Sequence, residues 1–176
     1  MRRRFVLIIS LVVLVAIVGL SLLLVTRQPV AATSVPSPLL GKTAPPLAGT
    51  ALGGGKFSLV AERGKIVVVN FFASWCGPCH QEEANIIAFA WQQRLKGVSV
   101  VGVVFNDTID ASKAFDAYYG TNYPSIADPN GTFAFHYGVT SPPSTFVIDP
   151  QGRVAEVLLG PVSSAQLNDA VARVRA

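Results

Sequence analysis

An apolar segment that ends shortly before a pair of cysteines restricts the fold of this chain more than any other feature. Apart from its ends and Asn70, the segment Lys65–Phe72, KIVVVNFF, is apolar and rich in β-branched residues. Because its apolar residues do not alternate with polar ones, it predicts a strand buried on both faces, as in the middle of an α/β sheet. The only cysteines, Cys76 and Cys79, follow this segment. They are therefore expected at the junction between this strand and the helix that follows it.

The rest of the folded region alternates between strand and helix patterns. Apolar residues at helical spacing after the cysteines predict a helix that ends at Gly97; they are Ala84, Ile87, Ala88, Trp91 and Leu95. The other predicted elements are a hairpin at 47–52 and 56–60, a buried strand at 98–105, a helix at 110–119, strands at 144–149 and 154–159, and a last helix with a capping box at Ser163 and Gln166. This order predicts a three-layer α/β domain.

The beginning of the chain has the composition of a membrane-spanning segment. Residues 5–25 carry no charge, and at about 1.5 Å per residue such a helix crosses the roughly 30 Å hydrocarbon core of a bilayer. Arg2, Arg3 and Arg4 precede it, which predicts a cytoplasmic N-terminus and an extracytoplasmic domain. A cleaved signal peptide is the alternative, because small residues follow at 30–32. The predicted division is a basic cytoplasmic flank at 1–4, a transmembrane anchor at 5–25, a proline-rich linker at 26–38 and a folded domain at 39–176.

The net charge does not indicate a nucleic-acid-binding surface. The formal charge is +4, but four arginines lie in the first 27 residues, where there are no acids. The ten other Lys and Arg residues are balanced by ten Asp and Glu residues. The positive charge therefore belongs to the membrane flank, and we expect no DNA or RNA partner.

The sequence Cys76–His80, CGPCH, also satisfies the pattern for covalent haem attachment. A haem would need a second axial ligand besides His80, but the only methionine is Met1 and the only other histidine is His136. The two cysteines and two histidines also lack the paired spacing of a structural zinc site. A disulfide closing so short a loop would stabilise the fold by only roughly 2 kcal/mol. We therefore expect no metal or other cofactor, and we expect His80 to face solvent in the first turn of a helix.

Thiol–disulfide chemistry accounts for the neighbours of the cysteines. At the start of a helix, unpaired N–H groups and the helix dipole would stabilise a Cys76 thiolate, which could attack a substrate disulfide. Cys79, one helical turn further, could then resolve the mixed disulfide. Gly77 permits close backbone approach, Pro78 is tolerated at a helix start, and Trp75 offers an apolar face to a substrate.

With these residues in place, the chain resembles the thioredoxin-fold, membrane-anchored, extracytoplasmic thiol–disulfide oxidoreductases of the TlpA/ResA/CcmG (DsbE) group. The resemblance covers about 39–162 and rests on LLGKTAPPL, KFSLVAERGKIVVVNFFASWCGPC, DPNGTFAFHYGV and PSTFVIDPQGRVAEVLLGPV. It implies a thioredoxin-like three-layer fold with a central mixed sheet, an N-terminal β-hairpin extension and an N-terminal transmembrane helix.

The resemblance also implies roles for residues outside the cysteine motif. Pro143, preceded by Pro142, matches the cis-proline that contacts extended substrates, and Glu82 matches a buried acid that could take a proton from Cys79. A solvated glutamate is the alternative for Glu82. Asn70 stands where thioredoxin has a buried aspartate, which leaves Glu82 as the candidate base. This group commonly has a helix-kinking proline where this chain has Ala84, so the placement of Glu82 is open.

The resulting hypothesis is a membrane-tethered reductant that opens disulfides outside the cytoplasm. The Gly-Pro pair between the cysteines is that of reducing thioredoxins, whose potential is near −270 mV. The resemblance implies apocytochrome c as the client and a transmembrane electron-donor protein as the partner. A general reductase or isomerase with another client, a copper-handling protein using His136, and a tethered binding module remain as alternatives. A peroxiredoxin would have threonine three residues before the first cysteine, where this chain has Ala73.

Overall fold

The structure, a computed structural model, describes residues 2–25 and 31–176. The chain divides into two units, of which the first contains the single helix α1, Arg2–Val25. Within Arg2–Leu22, the most apolar window of 18 residues has a mean hydropathy of 3.1, and the helix is long and apolar enough to cross a membrane. The second unit, Ala31–Ala176, contains every other described element. Met1 and residues 26–30 of the predicted flank and linker lie outside the described residues.

A six-stranded mixed sheet organises the second unit. Its strand order is β1-β8-β7-β4-β5-β6, and a separate hairpin, β2-β3, lies between β1 and β4 in the chain. The strands are β1 Thr33–Ser34, β2 Ala48–Thr50, β3 Lys56–Ser58, β4 Ile66–Phe72, β5 Val98–Val104, β6 Ser125–Ala127, β7 Ser144–Ile148 and β8 Val154–Leu159. β4 pairs parallel with β5 and antiparallel with β7, and all seven of its residues are buried. The continuous apolar pattern therefore predicted the central strand correctly.

Four helices pack with this sheet, and their ends follow the local sequence. They are α2 Gly77–Gln93, α3 Ile109–Tyr119, α4 Thr132–Tyr137 and α5 Ser164–Arg175, and a 3₁₀ turn spans Leu59–Glu62. The α3 helix ends at Gly120, whose φ of 65° lies in the left-handed region that glycine adopts without strain. The predicted capping box of Ser163 and Gln166 is confirmed at the start of α5.

Three apolar clusters place the helices and the cysteines around β4. Val68 lies with Ile86 of α2 and Leu167 of α5 in the cluster on one face of the sheet. Phe71 belongs to the cluster on the other face, with Tyr137 of α4, and fully burying a side chain of this size stabilises the fold by about 1.5–3 kcal/mol. The third cluster surrounds the two cysteines at the end of β4. This three-layer arrangement confirms the predicted thioredoxin-like fold.

The folded unit begins earlier than the sequence predicted. Over residues 31–38 the prediction of a linker is wrong, because Thr33 and Ser34 pair with Leu159 and Leu158 at the edge of the sheet. The Ala32 side chain is buried in the apolar cluster that contains Ile86 of α2 and Leu167 of α5. The strand partners of Thr33 and Ser34 lie more than 120 positions away, so the small, polar local composition does not reveal this pairing.

The buried face of α2 also differs from the predicted one. Trp91 and Leu95 are 60% and 87% exposed, and Leu95 lies beyond the end of the helix. The Trp91 ring is covered instead by the Arg94 guanidinium, 3.5 Å from its centroid. The face that is buried consists of Cys79, Glu82, Glu83, Ile86, Phe89 and Gln93. Its polar members are buried because distant residues supply hydrogen bonds, which helical periodicity does not reveal.

Candidate active site

Cys76 and Cys79 form a disulfide at the N-terminus of α2, with their Cα atoms 5.2 Å apart. Cys76 is the N-cap residue, and its Sγ accepts a hydrogen bond of 3.1 Å from the backbone N–H of Cys79. Both side chains are buried, at 4% and 1% exposed. In the reduced protein, the same N–H group and the positive end of the helix dipole favour a thiolate at Cys76.

The segment before Cys76 is held by the loop that follows β5. Asp107 Oδ2 accepts a hydrogen bond of 2.6 Å from the Ser74 N–H, and the Asn106 carbonyl accepts one of 3.0 Å from Trp75 Nε1. Burial raises the pKa of Asp107, but hydrogen bonds from Ser74, Thr108 and Ser112 outweigh it and leave the pKa below its usual value. Trp75 is 57% exposed and therefore presents an apolar surface beside the nucleophile.

Gly77 and Pro78 occupy the first two positions of α2 and are exposed. A Cβ built on Gly77 would meet nothing within 4 Å, so the space beside Gly77 is open. Pro78 has no N–H to lose at this position, as the sequence analysis anticipated.

The peptide bond between Pro142 and Pro143 is cis, as predicted. Pro143 is buried, and its carbonyl accepts a hydrogen bond of 3.1 Å from the Gly160 N–H. The next residue, Ser144, pairs with Phe71 near the end of β4. The two prolines therefore lie at the same end of the sheet as the C-terminus of β4, where the cysteine segment begins.

Glu82 is buried, at 1% exposed, so the alternative of a solvated glutamate is wrong. Its Oε1 accepts a hydrogen bond of 2.8 Å from Asn70 Nδ2, and its Oε2 accepts one of 2.7 Å from the Val162 N–H. Burial raises the pKa of Glu82 to about 8, although both of these hydrogen bonds act to lower it. Asn70 Nδ2 also donates to Thr145 Oγ1 at 3.0 Å, which ties Glu82 to the strand that follows the cis-proline.

Glu83 is a second buried carboxyl group that the sequence analysis missed. It is 1% exposed, and its carboxylate accepts hydrogen bonds of 2.8 Å from the hydroxyls of Thr121 and Tyr123. Burial raises its pKa, against the opposing effect of these hydrogen bonds. The partners lie 38 and 40 residues further along the chain, so no local signal distinguishes Glu83 from a solvated helix glutamate.

His80 is exposed, as expected, but both of its ring nitrogens are engaged. Nδ1 lies 2.8 Å from Tyr119 Oη, and Nε2 lies 2.8 Å from the Ser74 carbonyl oxygen. The expectation of a simple solvent-facing residue was therefore incomplete. His136 is exposed on α4, and within the described ranges no three or more His, Cys, Asp or Glu side chains are grouped to hold a metal ion.

Comparison with known proteins identifies the class to which this site belongs. The model of the AhpC/TSA family matches residues 40–157. The chain is 37% identical over 133 residues to the thiol:disulfide interchange protein HelX of Rhodobacter capsulatus, covering 74% of this chain and 73% of HelX. It is 34% identical over 128 residues to the thiol-disulfide oxidoreductase ResA of Bacillus thuringiensis, covering 73% and 74% of the two chains.

A solved structure agrees with these sequence relatives. The crystal structure of a thioredoxin-family thiol:disulfide interchange protein from Chlorobium tepidum matches with a TM-score of 0.71 at 27% identity, covering 81% of this chain and all of the other. The chain therefore belongs to the AhpC/TSA family and is a thiol–disulfide oxidoreductase of the HelX and ResA type.

Proposed function

We propose that this protein is a membrane-tethered reductant of protein disulfides that works outside the cytoplasm. The observation that carries the proposal is the position of Cys76, whose sulfur caps α2 and receives the Cys79 N–H at 3.1 Å. A sulfur held in this way is favoured as a thiolate, which is the attacking species in disulfide exchange. The exposed Trp75, the open space beside Gly77 and the match of Pro143 to a substrate-contacting proline of the family support an extended client segment as the substrate.

The first half of the reaction takes place at Cys76. Its thiolate attacks one sulfur of the client disulfide, an S–S bond forms between Cys76 and the client, and the other client sulfur leaves as a thiolate. The two electrons of the broken client bond stay on that leaving sulfur, which then takes a proton from water.

The second half requires Cys79 to lose a proton in a buried position. Glu82 lies three residues after Cys79 on α2, which places the two on the same side of the helix. With a pKa of about 8, the Glu82 carboxylate is matched to a thiol of ordinary pKa near 8.5 as a proton acceptor. The Cys79 thiolate then attacks Cys76 Sγ and releases the second client thiolate. The products are the enzyme disulfide and a client dithiol.

The proposed anchor and orientation are supported by α1 and the arginines at its start. Its apolar stretch is long enough to span a bilayer, and Arg2, Arg3 and Arg4 support a cytoplasmic N-terminus under the positive-inside rule. This topology places the cysteines on the extracytoplasmic side of the cell membrane. An oxidised Cys76–Cys79 pair would then be recharged by a membrane protein that carries electrons across the bilayer.

The proposed client is apocytochrome c, whose haem-binding cysteines must be reduced before haem can attach. The support for this client is the resemblance to the ResA and CcmG group. The Gly-Pro pair between the cysteines, which is typical of reducing thioredoxins, supports a reductant over an oxidant.

Trapping the mixed disulfide tests both the chemistry and the client. In a Cys79→Ser variant of the full chain, the mixed disulfide on Cys76 cannot be resolved and should accumulate on membranes of the native host. We expect mass spectrometry of the trapped species to identify apocytochrome c peptides containing Cys-x-x-Cys-His. The Cys76→Ser/Cys79→Ser variant is the matched control and should trap nothing. Trapping of a different set of proteins would contradict the cytochrome client, whereas trapping equal to the control would contradict the nucleophile.

A further inference from the structure

The outward side of α2 is apolar, although the solvated side of a surface helix ordinarily carries charged and polar residues. Four exposed apolar residues recur there at intervals of four, three and four positions, the last just beyond the end of the helix: Ala84, Ala88, Trp91 and Leu95. We call these four residues the α2 stripe. The only acidic residues of α2, Glu82 and Glu83, belong to its buried side. The stripe is therefore an exposed apolar surface without acidic residues of its own helix.

Three exposed cations lie at the C-terminal end of the α2 stripe. The Arg94 guanidinium covers the Trp91 ring and donates to the Trp91 carbonyl at 2.7 Å. Arg175, at the end of α5, donates to the Lys96 carbonyl at 2.7 Å, which brings its charge to the same place. None of these three cations forms an ion pair within residues 2–25 and 31–176, and α5 carries a single acid, Asp169. This end of the surface is therefore positively charged.

The chain enters the folded unit on the side of the sheet where α2 and α5 pack. The Ala32 side chain is buried in the apolar cluster to which both helices contribute, and the Ala32 carbonyl accepts a hydrogen bond of 2.8 Å from Gln166 Nε2 in the first turn of α5. Residues 26–30 separate α1 from the second unit, which begins at Ala31. A fully extended chain of this length reaches at most about 22 Å. With α1 in a bilayer, this point of entry therefore stays close to the membrane surface.

We propose that the α2 stripe and the cations at its end rest on the anionic phospholipid headgroups of the membrane that α1 crosses. Trp and Leu side chains enter the boundary between headgroups and acyl chains, where the ammonium and guanidinium groups of Lys and Arg remain among the phosphates. Each basic residue near an anionic membrane surface strengthens such an attachment by about fivefold.

This contact adds a second attachment to the membrane and rests on the proposed function only in taking α1 as an anchor. It holds the helix that carries Cys76 and Cys79 at the membrane surface. An electron-donor protein embedded in the same membrane can then reach the oxidised cysteine pair without release of the domain from the surface.

Quenching of Trp91 fluorescence by brominated phospholipids tests this contact in the full chain, reconstituted into vesicles. In a Trp75→Phe protein, Trp91 is the only tryptophan, so the ratio of its intensities in brominated and ordinary lipid reports the contact directly. We expect at least about threefold more quenching in vesicles with roughly 30% phosphatidylglycerol than in phosphatidylcholine alone. Raising the salt concentration from about 0.1 M to about 1 M shortens the Debye length from about 10 Å to about 3 Å and should reduce the quenching.

Variants of exposed residues separate the contribution of the cations from that of the apolar stripe. Arg94→Glu, Lys96→Glu and Arg175→Glu together should lower the quenching in anionic vesicles to the level in phosphatidylcholine. Lys56→Glu is the matched control, because it reverses a cation on the separate hairpin, and it should leave the quenching unchanged. Leu95→Ser keeps every cation and changes a side chain beyond the end of the helix, and it should also reduce the quenching.

The possible outcomes distinguish this contact from the anchor and from the chemistry. A chain that floats with the vesicles but shows no quenching of Trp91 would overturn the contact and leave the anchor intact. A chain that does not float with them would contradict the anchor, and the contact with it. Burial of Trp91 by self-association, seen in sedimentation velocity, would identify a second copy as the occupant and would also overturn the proposal. Failure of the wild-type protein to reduce insulin would count against the chemistry alone.

Discussion

Glu82 and Glu83 are consecutive residues with the same side chain and the same 1% exposure, yet they are joined to different parts of the molecule. Glu82 accepts N–H donors from Asn70 on β4 and from Val162, and through Asn70 it is linked to Thr145. Glu83 accepts hydroxyl donors from the connection between α3 and β6. We therefore propose Glu82, and not Glu83, as the carboxyl group of the reacting site; the hydrogen bonds of Glu83 join α2 to the connection between α3 and β6.

The largest expected effect is a loss of stability as pH rises. Because the folded-state pKa of Glu82 is raised from 4.5 to about 8, the folded protein binds this proton more tightly than the unfolded chain between these values. Its contribution is therefore fully present below about pH 4.5 and is lost as pH approaches 8, by about 2–5 kcal/mol. Urea denaturation of the soluble domain at a series of pH values should show this decline, and Glu82→Gln should reduce its slope. A wild-type stability that rises over this interval would contradict the assignment.

A smaller effect is expected from Glu83→Leu. This substitution leaves the hydroxyls of Thr121 and Tyr123 without their acceptor, which should lower the free energy of unfolding by about 2–3 kcal/mol at neutral pH. Below the unfolding transition, we expect the rate of insulin reduction per folded molecule to stay within about twofold of wild type. A fall of tenfold or more with intact folding would show that Glu83 takes part in the reaction, and the contrast with Glu82 would fail.

Asn70→Leu sharpens the contrast because Asn70 donates a hydrogen bond to Glu82 and none to Glu83. The Asn70 amide donates to Glu82 Oε1 and lowers its pKa, so its loss should raise that pKa further. The pH profile of mixed-disulfide resolution should move to higher pH accordingly, as measured by stopped-flow release of a chromogenic thiol. Thr145→Val removes only the second partner of Asn70 and is the matched control, for which a smaller shift is expected.

The smallest effect is expected at Glu62, a glutamate at the surface. Its carboxylate pairs with Lys65 at 2.9 Å, and the side chains of Glu62 and Lys65 are 20% and 51% exposed. Exposed pairs of this kind contribute about 0–1 kcal/mol. Glu62→Gln should therefore change the free energy of unfolding by less than about 0.5 kcal/mol and leave its pH dependence unchanged. A larger change in the free energy of unfolding, measured by urea denaturation, would show that the effects of substituting the glutamates do not follow their burial.

The central strand, the cysteine helix and the cis-proline could be predicted because each has a local signature. The apolar run of β4, the CGPC motif and the match of Pro143 to a known group are all visible in short stretches of sequence. The burial of Glu82 was anticipated only through that resemblance, since nothing nearby shows that Asn70 and the Val162 N–H supply its partners.

The missed features depend on contacts between distant parts of the chain. Strand β1 was assigned to the linker because its partner β8 lies about 125 residues later. The wrong face of α2 was chosen because periodicity follows apolar residues, and Trp91 satisfies that pattern while stacking with Arg94 at the surface. The contacts of His80 were missed because one partner, Tyr119, lies on a helix 39 residues away.

The central claim is that Glu82, and not its neighbour, accepts the proton of Cys79 during resolution. The most direct test is the pH dependence of the resolution rate, from a preformed mixed disulfide on Cys76, in wild type, Glu82→Gln and Glu83→Gln. We predict an inflection near pH 8 in wild type and in Glu83→Gln, and none in Glu82→Gln. The same inflection in all three proteins, or its loss only in Glu83→Gln, would contradict the account.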